Sequence, residues 1–136
     1  MPRLSVLMIR TALIYLAVGF FIGGLMLFNK AVLLDGAIFR LPPIHVDLLM
    51  FGWTMQLIMG TAFWILPRFE KPPKYGRVVL VRAAFVLLNA GVMTAVIGQW
   101  INQAGIILIG RVILLVAVLC FVVHIAPRVR PFLQTS

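Results

Sequence analysis

Four stretches of this chain, Thr11 to Phe28, Ile44 to Leu66, Val78 to Ile97 and Ile106 to Ala126, run for 18 to 23 residues with at most one Asp, Glu, Lys or Arg in each. A bilayer core of about 30 Å needs about 20 apolar residues to cross it as a helix. Lipid offers no partner to a bare N–H or C=O, so a continuous apolar run of this length must satisfy its backbone internally, as a helix does. The chain therefore reads as an all-α integral membrane protein, a four-transmembrane-helix bundle forming one domain over residues 1–136. The first run is too long for the apolar region of a secretory signal, lacks a convincing small-residue cleavage site and is followed by further spans. It is expected to remain as an anchor.

Charge supports this reading and orients it. Only 11% of the residues are charged against 63% apolar, where soluble domains are about one quarter charged. That deficit excludes a disordered chain, a collagen, a nucleic-acid-binding domain and an ordinary cytosolic enzyme. The net charge of +9 sits in short basic runs between the spans, the pattern by which membrane proteins fix topology. Arg3, Arg10, Arg68, Lys71, Lys74, Arg77, Arg82, Arg128 and Arg130 fall on one side, and Lys30, Arg40 and Arg111 on the other. Nine against three places both termini in the cytoplasm. Cys120 is the single cysteine, so no disulfide within the chain and no cysteine-based zinc site can form.

Local breakers mark the span ends. Pro42 and Pro43 stand where a helix start needs no N–H, and Pro67 and Pro127 stop the second and fourth spans. Pro72, Pro73 and Gly76 predict a turn, as does Asp35-Gly36 in the longer first connection. In that connection Ala31 to Leu34 reads as a segment on the membrane surface. So short a chain has little room for a domain outside the membrane, and its chemistry must lie within the bundle or at contacts with partners.

Ionisable residues in apolar spans are the first candidates for function: His45, Asp47, Arg82, Arg111 and His124. Arg10 and Arg82 lie near span ends and are expected to snorkel to the headgroups. His45 sits just inside the second helix at the outer side. His124 lies near the inner side, with an interfacial role expected, so the two cannot share a ligand within one subunit. At 3.6 residues per turn His45 shares a face with Leu48, Leu49, Gly52, Gln56, Met59, Gly60 and Phe63. Glycines at that spacing admit either a flat group, such as a porphyrin edge, or a neighbouring helix. Imidazole is a common axial ligand of haem iron, yet spacing alone favours a histidine bonded to water or a loop carbonyl. Asp47 can pair with Arg111 or Arg40, and the ion pair is favoured over the alternative in which these arginines face an anionic cofactor group. Met55 and Met59 stack at i, i+4, a pattern seen in Cu(I) and haem ligands and also in ordinary core packing, which is favoured here. Asn89 reads as interhelical glue. No nucleophile–base pair, two-carboxylate site or phosphate loop is present in the sequence, which removes support for hydrolytic chemistry.

The second span and the turn after it, His45-Val46-Asp47-Leu48-Leu49-Met50-Phe51-Gly52-Trp53, then Gln56 and Gly60, then Trp64-Ile65-Leu66-Pro67-Arg68, resemble the second transmembrane helix of haem–copper oxidase subunit I. The likeness is greatest to the branch of C-type oxidases and bacterial nitric oxide reductases, and to short four-span proteins described as subunit-I-like. It covers about 25 residues. The resemblance implies that His45 matches the axial ligand of the low-spin haem b. The family's twelve spans and its further histidines for a second haem and a second metal are missing, so this chain alone is not expected to reduce oxygen or nitric oxide. The family body is built as three four-helix arcs with ligand histidines on the second helix of each, so this chain looks like one arc. That implies a homotrimer mimicking the twelve helices, or a homodimer offering two copies of His45 to one haem.

Two classes of function follow. The first is a haem b-binding or accessory electron-transfer subunit of a respiratory chain, with His45 on the iron, Gly52 and Gln56 on the cofactor face and Arg111 or Arg40 near the propionates. The second is a cofactor-free structural or assembly subunit of a larger respiratory or photosynthetic complex, in which Gly52, Gly60, Gly91 and Gly98 serve only as packing seams. A small transporter or channel has least support, since no span shows a ring of charges or an evident break.

Overall fold

The computed structural model describes residues 1–67 and 75–129, which form helices and short connections with no strand among them. Four helices are long and apolar enough to cross a membrane: α1 (Arg3–Val32), α2 (Pro42–Ile65), α3 (Val78–Trp100) and α4 (Ala104–Ile125). Pro72 and Pro73 of the expected turn, and the basic residues Arg68, Lys71, Lys74 and Arg130, lie outside the described residues.

The helix ends follow the local chemistry. α1 is 30 residues long and overruns its apolar stretch on both sides, because nothing between Pro2 and Leu33 breaks it. It takes in Ala31 and Val32, which the sequence placed in the connection. Leu33 ends it in the left-handed region at φ 51°, donating its N–H to Asn29 O at 2.9 Å, the usual way of closing a helix C-terminus. The Asn29 side-chain oxygen then accepts from Asp35 N, and the Asp35 carboxylate from Ala37 N. This leads into a 3₁₀ turn at Gly36–Arg40. Pro42 and Pro43 occupy the first turn of α2. Leu66 leaves the helix in an extended conformation, as the residue before Pro67 must. Gln103 N donates to Gly98 O across the tight turn joining α3 to α4.

Within α2 the residues Leu48–Met55 wind as a π-helix between two α-helical segments. The Thr54 hydroxyl donates to Leu49 O, five residues back, at 2.9 Å. π winding is rare and concentrates at functional sites, and here it lies between His45 and Gln56.

Glycines set how the helices meet. α1 and α2 run antiparallel: a Cβ on Gly60 would meet Met8 and Ile9, one on Gly52 the Tyr15 ring, one on Gly19 the Leu49 side chain and one on Gly23 the His45 ring. α3 and α4 meet backbone to backbone, since a Cβ on Gly98 would stand 2.7 Å from Ile107 N and one on Gly110 2.7 Å from Ala95 N. Small residues that bring backbones together are how helices associate in lipid, where apolar burial gives no net drive.

The surface is the inverse of a soluble protein's. Phe20, Phe21, Leu27, Ile65 and Val79 are each at least 70% exposed, while Ser5, Asn29, Asp47, Gln56, His124 and Arg128 are buried. Apolar side chains turned outward and polar ones turned inward are what lipid contact requires, and the protein is an integral membrane protein.

Candidate functional site

The His45 ring lies in the slot formed by Gly19 and Gly23 of α1. Its Nδ1 stands 2.9 Å from Gly19 O, and since a carbonyl can only accept, Nδ1 carries the hydrogen. In the neutral ring, Nε2 is then left with a lone pair, and it meets no hydrogen-bond partner among the described residues. The ring is half-buried, and Nε2 is not among the buried unpartnered atoms, so it reaches the bundle surface. A histidine bonded through one nitrogen to a backbone carbonyl, with its other nitrogen open, is the arrangement that metal-ligating histidines adopt. The Gly19-x₃-Gly23 pair that makes the slot is a small-residue motif visible in the sequence.

The rest of the expected cofactor face is closed by protein. The Tyr15 ring covers Gly52 within 2.6 Å of where a Cβ would stand. Gln56, fully buried, donates through Nε2 to Met8 O at 3.3 Å and accepts at Oε1 from Asn89 Nδ2 at 2.8 Å. Asn89 also donates to Phe85 O and accepts from the Tyr15 hydroxyl. Tyr15, Gln56 and Asn89 thus form one hydrogen-bonded chain joining α1, α2 and α3, and Asn89 acts as the interhelical tie its mid-span position implied. A porphyrin therefore has no room over Gly52 and Gln56 inside this chain, whereas His45 Nε2 is not sealed within the bundle. Met59 is buried and Met50 is exposed, so the two point apart.

Asp47 lies on the other side of α2 from His45, 2% exposed. Its Oδ1 pairs with Arg111 Nη1 of α4 at 2.8 Å, and its Oδ2 accepts from Gln99 Nε2 of α3. The Arg111 guanidinium also lies 5.4 Å above the Phe51 ring. This is the ion pair expected from the sequence. It fixes α2 against α3 and α4, and it turns Arg111 away from the His45 slot. Arg40, in the turn before α2, is exposed and remains on the His45 end of the bundle. Among the described residues no three His, Cys, Asp or Glu side chains converge.

The opposite end of the bundle differs from its sequence reading. His124 is 4% exposed, packed against the Phe63 ring with centroids 5.7 Å apart. Arg128, counted by the sequence among the topology-setting surface charges, is 1% exposed. It donates from Nε to Pro67 O at 3.0 Å and from Nη2 to Leu66 O at 2.6 Å and Phe63 O at 3.2 Å. Phe63 O is a carbonyl of the last turn of α2, and Leu66 O and Pro67 O follow directly on the helix end, where the backbone has no further helical donors. Arg10 and Arg82 are exposed, as snorkelling side chains should be. Comparison with protein-family models, with curated proteins and with solved structures finds no match.

Proposed function

We propose that this chain is an accessory electron-transfer subunit of a bacterial inner-membrane respiratory chain, holding a b-type haem through His45, with both termini cytoplasmic. The observation that carries the reading is the His45 ring itself: Nδ1 anchored to Gly19 O and Nε2 left open at the bundle surface. The resemblance of His45 to Arg68 to the second helix of haem–copper oxidase subunit I supports the same residue as ligand.

A haem, when bound, supplies one-electron redox chemistry. The chain's own residues supply position. The Gly19 carbonyl sets the imidazole tautomer, and Gly19 and Gly23 fix the plane of the ring. Arg40, exposed at the same end, is the cation available to a propionate. Arg111 serves the helix packing through Asp47. Since the interior face over Gly52 and Gln56 is filled, the cofactor belongs at the outside of α1 and α2, between this chain and a second copy or a larger subunit. A homodimer offering two His45 rings, or a trimer of arcs, meets that geometry.

A structural or assembly subunit is the second reading. It is favoured by the use of Gly52, Gly60, Gly91 and Gly98 in packing and of Gln56 and Asn89 in interhelical hydrogen bonds. A reduced-minus-oxidised visible spectrum of the detergent-purified chain, expressed with ample haem, separates the two. A six-coordinate b-type signal is expected in the parent and not in His45→Ala, with the variant's helical circular dichroism unchanged. A parent without haem, or a signal that survives His45→Ala, overturns the haem reading in favour of the structural one.

A further inference from the structure

His45 is half-buried, its Nδ1 donates to Gly19 O, and its Nε2 carries a lone pair that is not sealed within the bundle. Against hydrocarbon such a lone pair is a polar group without a partner, a cost that a ligand or a neighbouring chain removes. On the haem reading of this site, half of a ligand set is present. A six-coordinate b-type haem needs two axial ligands, and the chain has two histidines. The other, His124, lies at the opposite end of the bundle with its Nε2 buried, so it does not reach the same iron. Cys120 stands one turn before it in α4, and Asp47 is held by Arg111 and Gln99.

A second copy carries the same unmet group. Copies inserted under one charge rule share one orientation across the bilayer, so a two-fold axis relating them runs along the membrane normal. An iron bound equally by both His45 rings lies on that axis. A three-fold arrangement brings three imidazoles to an iron on its axis, or leaves one ring without a partner. Arg40 fits the two-fold arrangement as well. His45 N donates to Leu41 O at 2.8 Å, so Arg40 stands just beyond the turn that carries His45. It is exposed and forms no ion pair among the described residues. Haem b has two propionates on one edge, and two copies bring two guanidinium groups to the outer, aqueous side of the iron, one for each carboxylate.

We propose that two copies of this chain share one haem on a two-fold axis along the membrane normal, each giving its His45 Nε2 to the iron and its Arg40 to one propionate. The interface is the face of the α1–α2 pair that carries His45, at the outer end of the bundle. The proposal rests on the haem reading and adds to it the stoichiometry, the symmetry and the second ligand.

The test uses the full chain in two differently tagged copies, expressed together with ample haem and purified through both tags in a mild detergent. By native mass spectrometry the parent is expected to run as a dimer with one haem, and its electron paramagnetic resonance to show the low-spin signal of two imidazoles. A mixed pair of parent and His45→Ala is expected to hold a high-spin haem with one protein ligand, which added imidazole converts to low spin. Arg40→Gln in both copies is expected to keep the low-spin spectrum and lower the midpoint potential, because a cation beside the propionates favours the reduced, more negative form. Should the mixed pair not be recovered, the parent's haem per chain and its ligand signature decide alone. One haem per chain, a low-spin mixed pair, or a potential unmoved by Arg40→Gln overturns the proposal and leaves the haem reading standing. So does the charge-transfer band of a histidine–methionine pair, which would assign the second ligand to a thioether such as the exposed Met50. A parent without haem overturns both.

Discussion

Removing the cation of the Asp47–Arg111 pair is expected to damage the protein more than removing the anion, and the structure gives the reason. The Asp47 side chain is 3% exposed and the Arg111 side chain 39%. Arg111→Leu leaves a carboxylate sealed inside the bundle with Gln99 as its remaining donor. Breaking a buried pair from one side costs about 3–5 kcal/mol, and the Gln99 hydrogen bond holds this case near the lower figure. Asp47→Leu frees a guanidinium that is already partly at the surface and can swing to the headgroups. Its cost is the lost acceptor for Gln99 and one hydrogen bond, about 1–2 kcal/mol. Replacing both by leucine removes the charges together, and apolar replacement of a buried pair is often neutral. The double variant should therefore be more stable than Arg111→Leu alone. Unfolding of the full chain by SDS in mixed micelles, followed through the fluorescence of Trp53, Trp64 and Trp100, measures all four proteins on one scale. Arg111→Leu no worse than Asp47→Leu, or a double variant as unstable as the two single effects added, would refute the argument that the buried carboxylate is the costly partner.

The same titration tests the seams and ties. Gly110→Ala, whose Cβ would press on Ala95 backbone at 2.7 Å, is expected to cost about 1–3 kcal/mol, whereas Gly24→Ala, with nothing within 4 Å, should cost none; equal effects would show that α3 and α4 are not in backbone contact. Asn89→Leu strips the Tyr15 hydroxyl and Gln56 Oε1 of partners and should cost about 1–2 kcal/mol, part of it recovered by adding Tyr15→Phe; a double variant no better than Asn89→Leu would break the proposed chain. Arg128→Met uncovers the carbonyls of Phe63, Leu66 and Pro67. Amide hydrogen exchange should then rise about tenfold or more over the last turn of α2 and stay unchanged at its first turn; uniform exchange would show that Arg128 is not the cap.

The spans were readable in the chain because lipid imposes one simple rule, about 20 apolar residues without charge. Their ends were readable where proline stands, and less so at α1, whose overrun to Val32 depends on the absence of a breaker. The Asp47–Arg111 pair could be foreseen because few charges lie within the spans, leaving Asp47 few partners. The fate of Gly52 and Gln56 could not be, since a glycine with an amide four residues on serves a cofactor and a neighbouring helix alike. The choice is made by Tyr15 and Asn89, 37 and 33 residues away in the sequence.

Hydropathy and breakers alone determined that this chain is helical, that four stretches are long and apolar enough to span a membrane and that the few charges within them need partners, because each of these is a property of one segment against the bilayer. Which helix faces which was settled only by the folded bundle. The π-helical turn in α2, the glycine slot around His45 and the burial of Arg128 over the end of α2 all depend on contacts between segments remote in sequence. Small residues and lone polar groups carry little directional information of their own, and acquire it only from the surface that packs against them.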